Sequence, residues 1–239
     1  MSGNRICIIL PCYKVKDQIY SVYKKLIIKK FDCLIFVDDK CPENSVNFLK
    51  SKVKKNKKVK YIFLKKNLGV GGATLKGFQL AKREKYDIIA KFDSDDQHKI
   101  SDLDKIINII KKNDNIFCKG YRNLSLKASL KRKMPLIRIV GVNVLTLISR
   151  ITTKNFELKD VTNGLFGISL KTFKMINLKK IQKNYFFEQD LIFRACKSKL
   201  KIIQVKSEVI YGNEKSSLNE LRSIIPFLFY HFKNFFYKE

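Results

Sequence analysis

The chain has 239 residues, of which 45% are hydrophobic and 30% charged. This suits one large globular domain with a buried core and excludes an intrinsically disordered chain. Fifty Lys and Arg against 21 Asp and Glu give a net charge of +29, a surface that attracts nucleic acid, anionic lipid or phosphorylated substrates. The lysines run along the whole chain, as a general lysine bias would place them, so charge alone selects none of these partners.

Cys7, Cys12, Cys33, Cys41, Cys118 and Cys196 form no CxxC pair and have no His at zinc-site spacing, so they read as reduced core residues of a cytoplasmic protein. Residues 1–5 lead directly into a strand-like run without a signal-peptide pattern. No charge-free apolar stretch reaches the ~18–20 residues that cross a bilayer, and a soluble or peripheral protein is expected.

In chain order, residues 6–10 predict a buried strand ended by Pro11. Residues 18–28 predict a helix with Ile19, Val22, Tyr23 and Leu26 on one face. A second strand over 33–37 runs into Asp38-Asp39, and a helix over 45–53 follows, capped by Asn44 or Ser45. A third strand spans 59–64, a glycine-led helix 69–82, and a fourth strand 88–92 ends at Asp93. Residues 101–111 predict a helix with Ser101 as N-cap and Asp104 in its first turn. The second half holds a basic connector (126–133), a long apolar helix (136–151), a loop then strand (160–169), a helix (187–197) and a short strand (201–205).

This βαβα order implies a mostly parallel sheet with helices on both faces. Ligands of such sheets lie at the carboxyl ends of the strands. Three polar clusters fall there: Pro11-Cys12-Tyr13, Asp38-Asp39 and Asp93-Ser94-Asp95-Asp96. Carboxylates gathered after one strand repel unless a cation sits among them. Mg²⁺ or Mn²⁺ suits such oxygens together with substrate phosphate. Asp93 and Asp95, two apart, share a face of an extended segment; a solvated Asp-rich turn ahead of the next helix is the plainer alternative. Asp38-Asp39 is a turn taken alone, and a nucleotide-recognition site taken with its place on the edge. Asn67 to Ala73 matches a dinucleotide glycine turn poorly, because it follows the third strand; a helix start that permits close backbone approach is the better reading.

Together these residues resemble the family-2 glycosyltransferases of GT-A fold, most of all the dolichol-phosphate mannose synthase group, over roughly residues 5–212. Ile9 to Tyr13 is similar to that family's opening strand with its Pro-x-Tyr, and Phe36 to Asp39 to its nucleotide-contacting strand end. Asn67 through Gly77 is similar to its glycine-rich helix start, and Asp93 to His98 to its Asp-x-Asp-x-Gln-His run. Lys119 to Arg122 resembles its Gly-x-Arg segment, Asp160 to Gly164 its acceptor-side loop, and Phe187 to Arg194 its base-carrying helix. The resemblance implies a GT-A domain over 1–217, with a C-terminal amphipathic helix over 218–239. It implies metal ligation by Asp93, Asp95 and Gln97, and donor contacts at Pro11, Tyr13, Asp38, Asp39, Gly69, Asp93 and Arg122. Asp95 and Glu188 are the implied catalytic residues, with Mg²⁺ or Mn²⁺ as cofactor.

The implied reaction is an inverting transfer from a nucleotide-diphospho-sugar to a polyprenyl phosphate or a cell-surface glycan. Many relatives carry Glu-Asp where this chain has Phe187-Glu188. Glu188 can accept a proton, whereas a phosphate acceptor is already anionic and needs no base. Arg132 and Arg138 could serve an acceptor phosphate. The aromatic, lysine-flanked tail and the 136–151 helix suit a headgroup boundary, where each basic residue adds ~1 kcal/mol on an anionic leaflet. The expected location is therefore cytoplasmic, at the inner face of the cell membrane. Two other classes remain open: a nucleic-acid-binding basic module, which leaves the acidic edge unexplained, and a nucleotidyltransferase, which wants a Gly-rich basic loop where Pro11 to Lys14 stands.

Overall fold

The structure is a computed structural model that describes residues 4–125 and 136–208. The connector 126–133 with Arg132, the side chain of Arg138 and the tail 218–239 lie outside the described residues.

Four parallel strands form one half: β1 (Ile6–Cys12), β2 (Cys33–Asp38), β3 (Val59–Phe63) and β4 (Ile88–Lys91). They are joined by α1 (Ile19–Ile27), α2 (Ser45–Lys52) and α3 (Gly69–Arg83). The other half contains α4 (Ile100–Lys112), β5 (Ile116–Tyr121), α5 (Leu136–Thr153), β6 (Phe166–Ser169), α6 (Leu170–Phe173), α7 (Phe187–Lys197) and β7 (Lys201–Lys206). The seven-stranded sheet has the order β3-β2-β1-β4-β6-β5-β7. β6 is antiparallel to both β4 and β5, and β5 is parallel to β7, so β6 runs against the others. The strand order reverses between β1 and β4, which opens the ligand crevice at their carboxyl ends.

The two faces of the sheet explain the apolar runs. In β1, Ile6, Ile8, Leu10 and Cys12 join a core with α1, α2 and α4, while Cys7 and Ile9 join a second core with α3 and α7. A strand covered on both faces needs an apolar residue at every position, because successive side chains point to opposite sides.

Several boundaries differ from the sequence reading. β1 continues through Pro11 to Cys12. Its ladder with β4 ends at Ile9↔Lys91, and the Pro11 carbonyl faces the β4 side, where it accepts from Ser94 Oγ. The amide that proline lacks would also have faced that vacated side, so no ladder bond is lost. Helix α4 starts at Ile100, with Lys99 rather than Ser101 as N-cap and Asp102 rather than Asp104 in the first turn. Asp102 is held there by Lys105 and the Glu208 amide. At α2 the N-cap is Asn44, in the left-handed region (φ 52°) and without a side-chain capping bond. Strand β5 was not predicted, because Lys119-Gly120 breaks its apolar run, and the single turn α6, capped by Ser169, was also missed.

Glycine permits one close approach that the fold requires. A Cβ at Gly71 would lie 2.5 Å from Phe187 Cβ, whereas one at Gly141 would meet nothing within 4 Å among the described residues. Gly71→Ala is expected to cost about 1–3 kcal/mol in urea unfolding, and Gly141→Ala, inside a helix, to gain about 0.5–1 kcal/mol. Equal midpoints for the two variants would contradict the packing of α3 on α7.

Candidate functional site

β1, β2, β4 and β5 all end on one edge of the sheet, and the antiparallel β6 begins there. The three polar clusters therefore meet. Ser94 Oγ reaches Pro11 O at 3.0 Å and Cys12 Sγ at 3.3 Å, which closes the β1–β4 gap. Cys12 stands opposite Asp38 in the ladder.

The acidic run after β4 splits into separate tasks. Asp96, in the left-handed region (φ 61°), turns away to Lys25 and Ser21 of α1. Asp95 Oδ1 accepts the Gln97 amide at 3.1 Å, which tightens the turn. Asp93 Oδ1 lies 2.5 Å from Lys91 Nζ, and Oδ2 lies 3.2 Å from His98 Nε2. Buried His98 also packs against Phe92.

Lys91 is the residue that the sequence reading missed. Its side chain is 1% exposed, and its ammonium touches Asp93, Glu188 Oε1 at 2.9 Å and the Gly164 carbonyl at 3.2 Å. Burial opposes a charge on Lys91, but Asp93 and then Glu188 outweigh it and hold the ammonium pKa above the usual lysine range. Burial likewise opposes a charged Asp93, and Lys91 and His98 outweigh it, so its carboxyl lies below the usual carboxylate range. A Cβ at Gly164 would sit 2.3 Å from Asp93 Oδ2 and 2.6 Å from Lys91 Nζ. The signal was available: one lysine inside the apolar run 88–92.

Other expected donor contacts are engaged with the protein itself. Arg122 places Nε 2.7 Å from Asp160 Oδ2 and Nη2 3.1 Å from Oδ1, and Nη2 also donates to Thr162 at 2.5 Å. Both members of this pair are buried. The neighbouring Lys119 donates to the carbonyls of Gly120 and Asp160, and burial pulls its pKa down to about 8. Asp38 Oδ1 accepts the Cys41 amide, and Asp39 Oδ1 accepts the Leu68 amide at 2.6 Å. Burial raises the Asp39 pKa against the pull of the Leu68 and Gly69 amides. Gly69 has φ 76°, and a Cβ there would meet the Lys183 carbonyl at 2.6 Å. The Gly71 and Gly72 amides already donate to that carbonyl. The close approach foreseen at this glycine turn is therefore made by the chain before α7. Tyr13 is 41% exposed on the edge.

Among the described residues no three His, Cys, Asp or Glu side chains gather into a metal cage. Asp93, Asp95 and Gln97 instead offer two carboxylates and an amide within one turn. That oxygen set fits Mg²⁺ or Mn²⁺ when substrate phosphates complete the shell. Because a carboxylate oxygen can accept more than one bond, Lys91 and His98 orient Asp93 without exhausting it.

Comparisons with known proteins bear on the family and the fold. The profile of Glycosyl transferase family 2 matches residues 7–183. UDP-N-acetylglucosamine--dolichyl-phosphate N-acetylglucosaminyltransferase of Methanococcus voltae is 29% identical over 223 residues, 88% of each chain. Glucosyl-3-phosphoglycerate synthase of Mycobacterium tuberculosis, in complex with Mn²⁺, UDP and phosphoglyceric acid, has a TM-score of 0.69 at 14% identity, covering 100% of this chain and 81% of that one. Its complex with Mg²⁺ and UDP gives 0.65 at 15%, covering 96% and 80%. At such identities the structural likeness establishes the fold, which is GT-A.

Lys91→Met leaves Asp93 and Glu188 facing each other without their cation. Breaking a buried pair costs about 3–5 kcal/mol, and that loss is expected in urea unfolding. Lys91→Met combined with Glu188→Gln should recover at least about 1 kcal/mol of it, since one uncompensated charge is removed. Strict additivity of the two changes would show that the pair is not coupled.

Proposed function

The chain belongs to glycosyl transferase family 2, and from that premise we propose that it transfers a sugar from a nucleotide-diphosphate donor to a polyprenyl phosphate, with inversion at the anomeric carbon. Membership also sets aside the nucleotidyltransferase and nucleic-acid-module readings. The observation that carries the proposal is the Glu188–Lys91 pair at 2.9 Å. The carboxylate in the base position is bonded to a buried ammonium. An acceptor that arrives already anionic needs no proton removed, so its oxygen can attack the anomeric carbon directly. The similarity to a relative that acts on dolichyl phosphate supports the same acceptor class.

Each residue has a place in this reading. Tyr13, Pro11 and the Asp38-Asp39 strand end receive the nucleoside, at the edge where β1 and β2 stop. Asp93, Asp95 and Gln97 would hold Mg²⁺ or Mn²⁺, which when bound offsets the charge of the departing diphosphate. Lys91 and His98 fix the Asp93 carboxylate in advance. Arg122 is assigned to Asp160, holding the acceptor-side loop against the end of β5. Those bonds engage its Nε and Nη2, and its expected contact with the donor phosphates stays part of this reading. Gly69 lets the Lys183 carbonyl approach, and its expected donor contact stays part of this reading. The protein would act peripherally, at the inner face of the cell membrane.

Asp95→Ala is expected to lower turnover of a UDP-sugar by about 100-fold or more. It should also abolish the Mn²⁺-dependent rise in melting temperature produced by UDP, with unchanged circular dichroism. Wild-type turnover in this variant would remove the metal assignment. Glu188→Gln keeps a hydrogen-bond acceptor for Lys91 and should cost less than about 10-fold if a phosphate is the acceptor. A loss beyond about 100-fold would instead favour a glycan hydroxyl, with Glu188 as its general base.

A further inference from the structure

Helix α5 carries an apolar face that nothing among the described residues covers. Leu136, Val140, Val144, Leu147 and Ile151 are 46–63% exposed. Their spacing of four, four, three and four residues places them in one stripe. Ile139, Val142, Thr146 and Ser149, on the opposite side, are buried. Residues 136–153 contain no Asp or Glu. Phe156, three residues past the helix end, is also exposed, and in sequence Lys154 and Lys159 flank it with Glu157 as the acid between them.

The position of the helix is as informative as its composition. Its inner side packs on Leu124, just past the carboxyl end of β5, and Asn143 Nδ2 donates to the Leu124 carbonyl. At its far end Arg150 Nε donates to Leu158 O, two residues ahead of Asp160. The stripe therefore lies beside the edge that holds the site, with its apolar side turned outward.

We propose that this stripe is a membrane-docking surface, which lies flat in the headgroup boundary of an anionic bilayer and turns the site edge toward it. An acid-free apolar stripe on a basic molecule favours this occupant. A molecule of net charge +29 repels a second copy of itself and is drawn to an anionic leaflet. The geometry agrees: 18 residues make a rod of about 27 Å, suited to lying in the interface. Among the described residues no helix is long and apolar enough to cross a membrane. The inference deepens the lipid-acceptor reading but is read out without turnover, so either can fail alone.

The test uses the full chain with vesicles of phosphatidylcholine, alone or with roughly 30 mol% phosphatidylglycerol as the anionic lipid. The wild type should float with the anionic vesicles. Val144→Glu/Leu147→Glu should bind them at least about 10-fold more weakly, with the same melting temperature, elution volume and UDP–Mn²⁺ thermal shift. The chain has no tryptophan, so Leu147→Trp reports the stripe by itself, and its emission should shift to the blue when anionic vesicles are added. Absence of wild-type binding, equal binding by the double variant, or an unshifted tryptophan would overturn the proposal. A fall in melting temperature, or a smaller assembly on gel filtration, in the double variant would overturn it too. Those two results would mean that the stripe is covered by the chain's own residues or by a second copy.

Discussion

A lysine ammonium buried inside a sheet needs acceptors around it, and Lys91 has two carboxylates and a carbonyl. The dependence is mutual. Asp93 on the turn after β4 and Glu188 on α7 could not approach each other without the cation between them. The loop before β6 passes so close to this cluster that a Cβ at position 164 would displace the Asp93 carboxylate or the Lys91 ammonium. One charged group thereby locks together the end of β4, the lead into β6 and the first turn of α7. These are the segments that carry the acidic turn, the proposed acceptor-side loop and the proposed base position.

The rest of the edge is built on the same principle. Arg122 and Asp160 neutralise each other across the end of β5, and Asp96 is drawn off to Lys25 of α1. Even the glycine turn at α3 is filled from within, by the Lys183 carbonyl. An edge whose polar groups are already paired is preorganised: little has to move when a charged ligand arrives. It also explains why so few of its charged residues are available as general acids or bases. A reaction whose nucleophile brings its own negative charge asks least of such a site.

The excess of positive charge and the acidic edge are then compatible. The basic surface can hold the molecule near an anionic leaflet, while the paired carboxylates stay on the sheet edge. The exposed side of α5 lies next to that edge and, under the docking proposal, sets the distance between lipid and site.

Much of the fold was legible in the chain. Buried parallel strands must be apolar at every position, so the runs at Ile6, Cys33 and Ile88 announced themselves, and the polar clusters after them marked the functional edge. Strand β5 was hidden by Lys119-Gly120, and the true start of α4 by the attraction of Asp102 to Lys105 and to the distant Glu208 amide. What the residue order determined by itself was the βαβ alternation and the gathering of acids at strand ends, because these follow from local periodicity, while the family motifs were legible as a resemblance. Tertiary structure alone decided which charges meet. Lys91 with Glu188 and Arg122 with Asp160 are pairings across long sequence separations, and no local pattern encodes the distance between two side chains brought together by a sheet.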